Sequence, residues 1–460
     1  MSTGLSRRLC EAVHALRIDD LPPAAIDAAK RLAFDAIGLI GGGACAPGIA
    51  TLNARLARWE SGGSATGLVG RRRYSPPTAA LANGAAAHAL DFDDLHDAAR
   101  VHTSAVILPT VLATAEDRGG VSGRDFVFAL AIGAEIHARL GLSCVDALGK
   151  GWHPTMVFGT LAGALAAGKL LGLDATGLGH ALGMGYHQAS GSAQSMRDGV
   201  LSKRLGAGFA ARAAVLSAFL AKDGLTSTER TLEGNAGLYA LYERGEGDPE
   251  RLLAGWGRTW EVANYSFKPY PGCRANHTAV GLAIALHRRG IRADDIESVE
   301  VGLGKVNWMS VGGAYESERG SIVHAQFNAA YNVARALADG RVELGAYTPE
   351  AIVEPRVVDL ARRVRTIEDP AIDPQAIVPA RLTLRLRDGA RVESFGETMP
   401  GSPQAPMSDA DFEAKFRACL EHGMHARPSD VERLLATSSQ LERLADVRSL
   451  IDAFPVQDRS

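Results

Sequence analysis

Between His88 and His102 the chain brings the carboxylates of Asp91, Asp93 and Asp94 and the imidazoles of His88, His96 and His102 within fifteen residues. The flanking sequence is rich in Ala, Leu and Val. Burying a charge without a partner is costly, so acids and histidines gathered in apolar surroundings point to metal ligation or proton transfer. A loop with capping aspartates and a satisfied core histidine is the structural alternative.

Four further segments set polar residues beside Gly, Pro or small residues. Gly151-Trp-His153-Pro-Thr places a histidine at the mouth of an apolar helix, where capping is its plainer role. Lys203 precedes Gly206-Ala-Gly208, at a helix start where free N–H groups and the helix dipole favour carboxylates; a solvated surface lysine is the alternative. Ser266-Phe-Lys268-Pro-Tyr-Pro-Gly-Cys273-Arg274-Ala-Asn-His277 concentrates Lys, Cys, Arg and His on a backbone stiffened by two prolines, more chemistry than a linker needs. In His324-Ala-Gln-Phe-Asn-Ala-Ala-Tyr331 the tyrosine belongs in a core or presents its hydroxyl to a cleft.

Two metal readings compete. Asp93-Asp94-Leu-His-Asp97 matches the DDxxD diphosphate motif, but no second Asp-rich motif lies in the same helical region. His88, Asp91, His96 and His102 are chemically able to ligate a metal, yet no HExxH-type spacing accompanies them. Cys10, Cys45, Cys144, Cys273 and Cys419 are far apart, which argues for free thiols and against a zinc knuckle or an iron–sulfur cluster.

The elements that must carry these residues are mainly helical for about the first 240 positions. Asp20 and the prolines after it open one helix, with apolar residues Ile26, Ala29, Ala33, Ile37 and Ile40 following at helical spacing and Gly41-Gly42-Gly43 as its stop. A second, over 79–90, delivers the Asp/His stretch; a third spans 104–116, with Pro109 as its start or a kink. Helices at 160–171 and 207–222 are apolar nearly all round, as buried bundle helices are. Strand signals begin after the charged segment at 243–250. Ser298-Val-Glu-Val alternates, residues 381–395 read as a hairpin turning at Asp388-Gly389, and a helix at 326–338 lies between.

The expected fold class is mainly α with a smaller α+β domain. Residues 1–264 form the large helical domain, completed by helices within 399–460, and 265–398 form the smaller domain. With 460 residues two domains are expected. The balance of 49 basic and 52 acidic side chains gives no nucleic-acid surface. No secretory leader is read at the start, and no uncharged apolar run approaches the roughly 18–20 residues of a membrane span, Glu135 interrupting residues 126–136. The expectation is a cytoplasmic protein without membrane or nucleic-acid partners.

Together, Asn83-Gly-Ala-Ala-Ala-His-Ala-Leu-Asp-Phe-Asp-Asp, His102-Thr-Ser, Gly151-Trp-His-Pro-Thr, Lys203 with its Gly-Ala-Gly, Lys268-Pro-Tyr-Pro-Gly-Cys and Phe327-Asn-Ala-Ala-Tyr resemble the MmgE/PrpD family. That family includes 2-methylcitrate dehydratases, cis-aconitate decarboxylases and iminodisuccinate epimerases. The resemblance implies an all-α domain with a lid domain, an active site in the cleft between them, a homodimer, and no metal or organic cofactor. It puts the site on Asp91, His102, His153, Lys203, Lys268 and Tyr331. His102 and His153 are then the acid/base candidates, Asp91 an orienting group or base, and Lys203, Lys268 and Arg274 the carboxylate binders, with Cys273 and His277 beside them. Decarboxylase-like members carry Thr at the position of Leu95 and His at that of Cys273. The expected activity is therefore dehydration of a 2-methylcitrate-like hydroxy di- or tricarboxylate. An epimerase or isomerase of an imino- or amino-dicarboxylate, or a cis-aconitate-type decarboxylase, is the alternative.

Overall fold

Proline pairs and small residues explain the helical part. Pro23, Pro76 and Pro154 each stand in a first helical turn, where a missing N–H costs nothing. They open the helices Pro23–Gly42, Pro76–His88 and Pro154–Leu170. The first runs through Gly41 and Gly42 instead of stopping there, because the facing helix Asp409–Met424 packs directly on those glycines. The helix Ser104–Arg118 begins at Ser104 and continues past Pro109. A computed structural model describes residues 4–144 and 146–456.

One hydrophobic core gathers helices from Leu5 to Phe267, together with residues 407–454 of the C-terminal helices. A second joins residues 279–384 around a four-stranded sheet. The sheet order is Val364–Glu368, Ile296–Leu303, Ala380–Leu386 and Arg391–Gly396, the first pair parallel and the others antiparallel. The last two strands are the hairpin expected at 381–395. The helices His277–Arg288 and Ala329–Asp339 pack on the sheet. The molecule is thus mainly α with a smaller α+β part. A two-stranded ribbon, Ala65–Gly67 with Arg72–Tyr74, interrupts the helical region at a place with no strand pattern in its residues.

Glycine contacts set the helices that carry the site. A side chain on Gly208 would place its Cβ 2.4 Å from the Leu81 carbonyl, and one on Gly84 would sit 2.9 Å from the Gly208 backbone. The helices Pro76–His88 and Ser202–Lys222 therefore touch backbone to backbone. Their contact holds the N-terminal end of the latter, with Lys203, beside the C-terminal end of the former.

Among the described residues, two helices, Gly123–Ser143 and Ser202–Lys222, are long and apolar enough to cross a membrane. This departs from the sequence expectation, which stopped at Glu135. The helix continues because Arg139, one turn on, pairs with Glu135, and most of that helix is buried in the bundle.

Candidate active site

Where the Pro76–His88 helix ends, the chain turns sharply through Asp91, whose φ is +52°. Aspartate is one of the few non-glycine residues found in this region. The turn aims the carboxylate between two ammonium groups. Lys268 Nζ donates to Oδ1 at 2.9 Å, and Lys203 Nζ lies 3.2 Å from Oδ2. Lys268 also donates to the Asp91 carbonyl at 2.9 Å, and the Gly272 N–H to the same oxygen at 3.0 Å. Burial alone would raise the Asp91 carboxyl, but Lys203 and Lys268, then His102 and His88, hold it well below the usual carboxylate range. Lys268 is fully buried; burial lowers its pKa, but Asp91 and Asp93 outweigh that and leave it raised.

Behind this ion cluster stand three imidazoles. The His102 ring centroid is 5.2 Å from that of His88, and His88 is 6.2 Å from His153. Asp93 Oδ2 lies 2.7 Å from His88 Nδ1 and 3.4 Å from His102 Nδ1. His102 Nδ1 also lies 2.8 Å from the Asp94 carbonyl. A carbonyl only accepts, so Nδ1 carries the hydrogen. Burial, only partly offset by Asp93, pushes His102 down to about 3. The neutral ring therefore keeps its lone pair on Nε2. His153 is likewise pushed well down by burial and by Lys203, and among the described residues its buried Nδ1 has no hydrogen-bond partner.

Asp94 has a different task. It accepts from the Thr103 and Ser104 N–H groups, each at 3.0 Å, and from the Ser104 hydroxyl, capping the Ser104–Arg118 helix. Burial and adjacent Asp93 push it up to about 7. His96 turns to Glu261 at 3.2 Å and away from the cluster.

These groups meet on a cleft of about 740 Å³, counting its open part. Asp91, His102, His153, Lys203, Lys268, Cys273 and Arg274 line it, with Val306, Asn307 and Ile377 of the smaller part on the opposite wall. The Cys273 thiol is pushed up to about 11, by burial first and Asp91 second. Arg274 reaches the cleft already engaged, because its guanidinium bonds Asp97 at 3.2 Å and the Pro400 carbonyl.

Two expected site residues are not on the cleft wall. Tyr331 is fully buried in the second core, its hydroxyl donating to the Ala346 carbonyl and its ring packed on Tyr315. A phenol committed to a backbone acceptor in a separate core offers nothing to the cleft. His277 is buried behind Arg274, 3.3 Å from its guanidinium, and burial and that cation keep its pKa well below normal. Sequence reasoning missed Asp97 and Arg100, which also line the cleft and lie inside the opening stretch. Gln326 ties the Lys268 segment to the Asp91 turn: its side-chain amide donates to the Leu90 carbonyl at 2.8 Å, and its backbone carbonyl accepts from the Cys273 N–H.

The metal set considered from sequence does not assemble, since lysines hold Asp91 and His96 faces Glu261. Among the described residues, His88, Asp93 and His102 alone form a group of potential ligands, within 4.8 Å of one another. In them Asp93 is hydrogen-bonded to His88 Nδ1 at 2.7 Å, while His102 Nδ1, 3.4 Å from the same oxygen, is bonded instead to the Asp94 carbonyl.

A helical domain, a small α+β domain and a buried Asp–Lys–His site between them define a class that sequence comparison makes specific. The MmgE/PrpD N-terminal domain matches residues 7–250 and the MmgE/PrpD C-terminal domain residues 270–441. The chain belongs to the MmgE/PrpD family. It is 29% identical to the cis-aconitate decarboxylase-like protein oryM of Aspergillus oryzae, covering 97% of this chain and 96% of that protein. The cis-aconitate decarboxylase of Aspergillus terreus is also 29% identical (98% and 96% covered), and that of Homo sapiens 26% (97% and 93%). Family and relatives together support a lyase-type role.

Proposed function

We propose that this protein is a lyase that acts, without an organic cofactor, on a small di- or tricarboxylate, removing water from a 2-methylcitrate-like hydroxy acid. The observation that carries the reading is the neutral His102, its Nε2 free, on the same cleft wall as the Asp91–Lys203–Lys268 cluster. A C–H bond beside a carboxylate is acidified when cations receive the charge that develops on that carboxylate. Lys203 and Lys268 are such cations, and Asp91 holds them in place. His102 Nε2 takes the proton, and the Asp93 carboxylate stabilises the imidazolium formed. The electron pair of the C–H bond becomes the new double bond while the C–O bond breaks. The departing hydroxide takes the proton from the His102 imidazolium and leaves as water, which returns His102 to its neutral form.

A second reading has its own support. The relatives above are named as cis-aconitate decarboxylases, so carbon–carbon cleavage of an unsaturated tricarboxylate uses the same cations and a proton delivered to carbon. Against it, Leu95 and Cys273 line the cleft where decarboxylase-like members carry Thr and His, and the Cys273 thiol stays protonated.

Purified protein offered 2-methylcitrate, citrate and cis-aconitate in turn distinguishes these chemistries. Absorbance from a new conjugated double bond marks dehydration, and released carbon dioxide marks decarboxylation. Deuterium uptake at the α-carbon of an amino- or iminodicarboxylate, with no loss of either, marks an isomerase. On the active acid, His102→Asn lowers kcat by about 10²–10⁴-fold with unchanged thermal unfolding. No turnover of any of these tricarboxylates, or full activity of the variant, defeats the reading.

A further inference from the structure

Every cation expected to bind substrate carboxylates is already opposed by an aspartate. Lys203 and Lys268 share Asp91, and Arg274 is held by Asp97. Counted together, three cations face Asp91, Asp93 and Asp97 around the cleft, so the inner site carries no net positive charge for a di- or tricarboxylate. Something else must meet the substrate's second charge.

The cleft opens into a larger chamber of about 1910 Å³, counted the same way, between the two parts of the molecule. Arg100 lines both spaces and so stands at the neck that joins them. Its side chain is mostly buried, at 20% exposure, yet among the described residues its guanidinium donates no hydrogen bond. The nearest carboxylate oxygen, of half-exposed Asp146, is 3.7 Å away. A guanidinium that reaches the cleft neck and holds no hydrogen-bonded partner among the described residues is placed to donate to a ligand carboxylate.

The backbone points the same way. Arg100 has φ +56°, in the left-handed region, which residues with a Cβ seldom occupy. Its N–H donates to the His96 carbonyl at 2.7 Å, and the His96 N–H donates to the Val101 carbonyl at 3.0 Å. This closed loop fixes Arg100 two residues before His102. Strain of this kind persists where surrounding structure imposes it, often beside a working site.

We propose that Arg100 is a substrate-binding residue whose guanidinium, at the neck of the cleft, grips a carboxylate of the substrate remote from the reacting carbon. The assignment rests on the di- or tricarboxylate reading above and adds to it the residue that selects for the additional charge. Arginine suits the task because its planar fork matches a carboxylate in two parallel bonds. Burial holds its pKa below the ordinary value, with Asp146 opposing, and the group stays a cation at neutral pH.

Calorimetric titration with tricarballylate, a tricarboxylate that has no hydroxyl to lose, tests this in the intact protein. Wild-type protein binds it, and Arg100→Gln weakens binding about tenfold or more, the usual effect of losing a hydrogen-bonded charge. Arg100→Lys recovers part of the loss. Arg197→Gln, which removes a positive charge from the outer chamber only, leaves affinity within about twofold. Equal binding by wild type and Arg100→Gln overturns the assignment and leaves the functional reading standing. Equal weakening by Arg197→Gln also overturns it, since a diffuse field would then account for binding. Failure of wild-type protein to bind tricarballylate overturns both.

Discussion

Tyr331 separates what a residue's type suggests from what its surroundings allow. Its hydroxyl donates to the Ala346 carbonyl inside the second core, and Tyr331 itself does not line the cleft. Tyr331→Phe is therefore expected to leave that acceptor unsatisfied and cost about 1–3 kcal/mol of stability. The rate per folded molecule stays at the wild-type level. Thermal unfolding and kcat measured on one preparation check both halves, and a large fall in kcat would put the phenol back in the mechanism. The sequence could not show this, because a tyrosine in an apolar helix looks alike whether its hydroxyl meets a ligand or a backbone carbonyl fifteen positions on. Arg274 raises the same difficulty, since its neutralising partner Asp97 lies 177 residues away along the chain. Asp91 and His102 were legible for the opposite reason. They are ionisable groups in a stretch otherwise built from Ala, Leu and Val, and such a stretch tolerates them only for a use.

At the scale of elements, proline starts and apolar runs were readable, while small-residue contacts were not. The helix expected at 160–171 begins at Pro154, and the one expected at 207–222 begins at Ser202. The first missing turn starts directly after His153, its N-cap, and the second carries Lys203, so the site residues stand where these helices begin. The three-residue ribbon strands are too short to alternate visibly. The contact at Gly208 has a consequence for the site. Gly208→Ala would drive a methyl group against the Leu81 carbonyl, so the two helices must part. Overpacking of this kind costs about 1–3 kcal/mol. Because Lys203 lies one and a half turns away on the same helix, the shift also lengthens its 3.2 Å contact with Asp91. A lower melting temperature together with a reduced kcat is expected, measured by calorimetry and by the assay above. Wild-type values for both would mean that the helices tolerate the methyl group without moving.

Across the whole molecule, the burial that builds the site also fixes how stability depends on pH. His102 and His137 are pushed down to about 3, and His153 and His277 well below their ordinary value, in each case by burial first. In the unfolded chain these imidazoles take up protons below about pH 6.5, whereas in the fold they do not. The unfolded state thus binds more protons, and stability falls as pH drops from about 6.5 toward 3. Asp91 and Asp93, both held low, continue the same trend below about pH 4. Asp94 opposes it, because its folded form keeps a proton up to about 7 and its stabilisation is lost as pH rises through that value. Asp35 and Glu135, also raised by burial, oppose it in the same way; four histidines outweigh three carboxylates, so the apparent melting temperature should fall between pH 7 and pH 4. His137 isolates the effect, since it lies off the cleft and its Nδ1 is 2.9 Å from the Thr103 hydroxyl. His137→Gln should flatten the slope by about one proton in this interval, read from unfolding at several pH values. A melting temperature that rises on acidification would mean that the imidazoles are charged in the fold, and the assignment of His102 as a neutral base would fall with it.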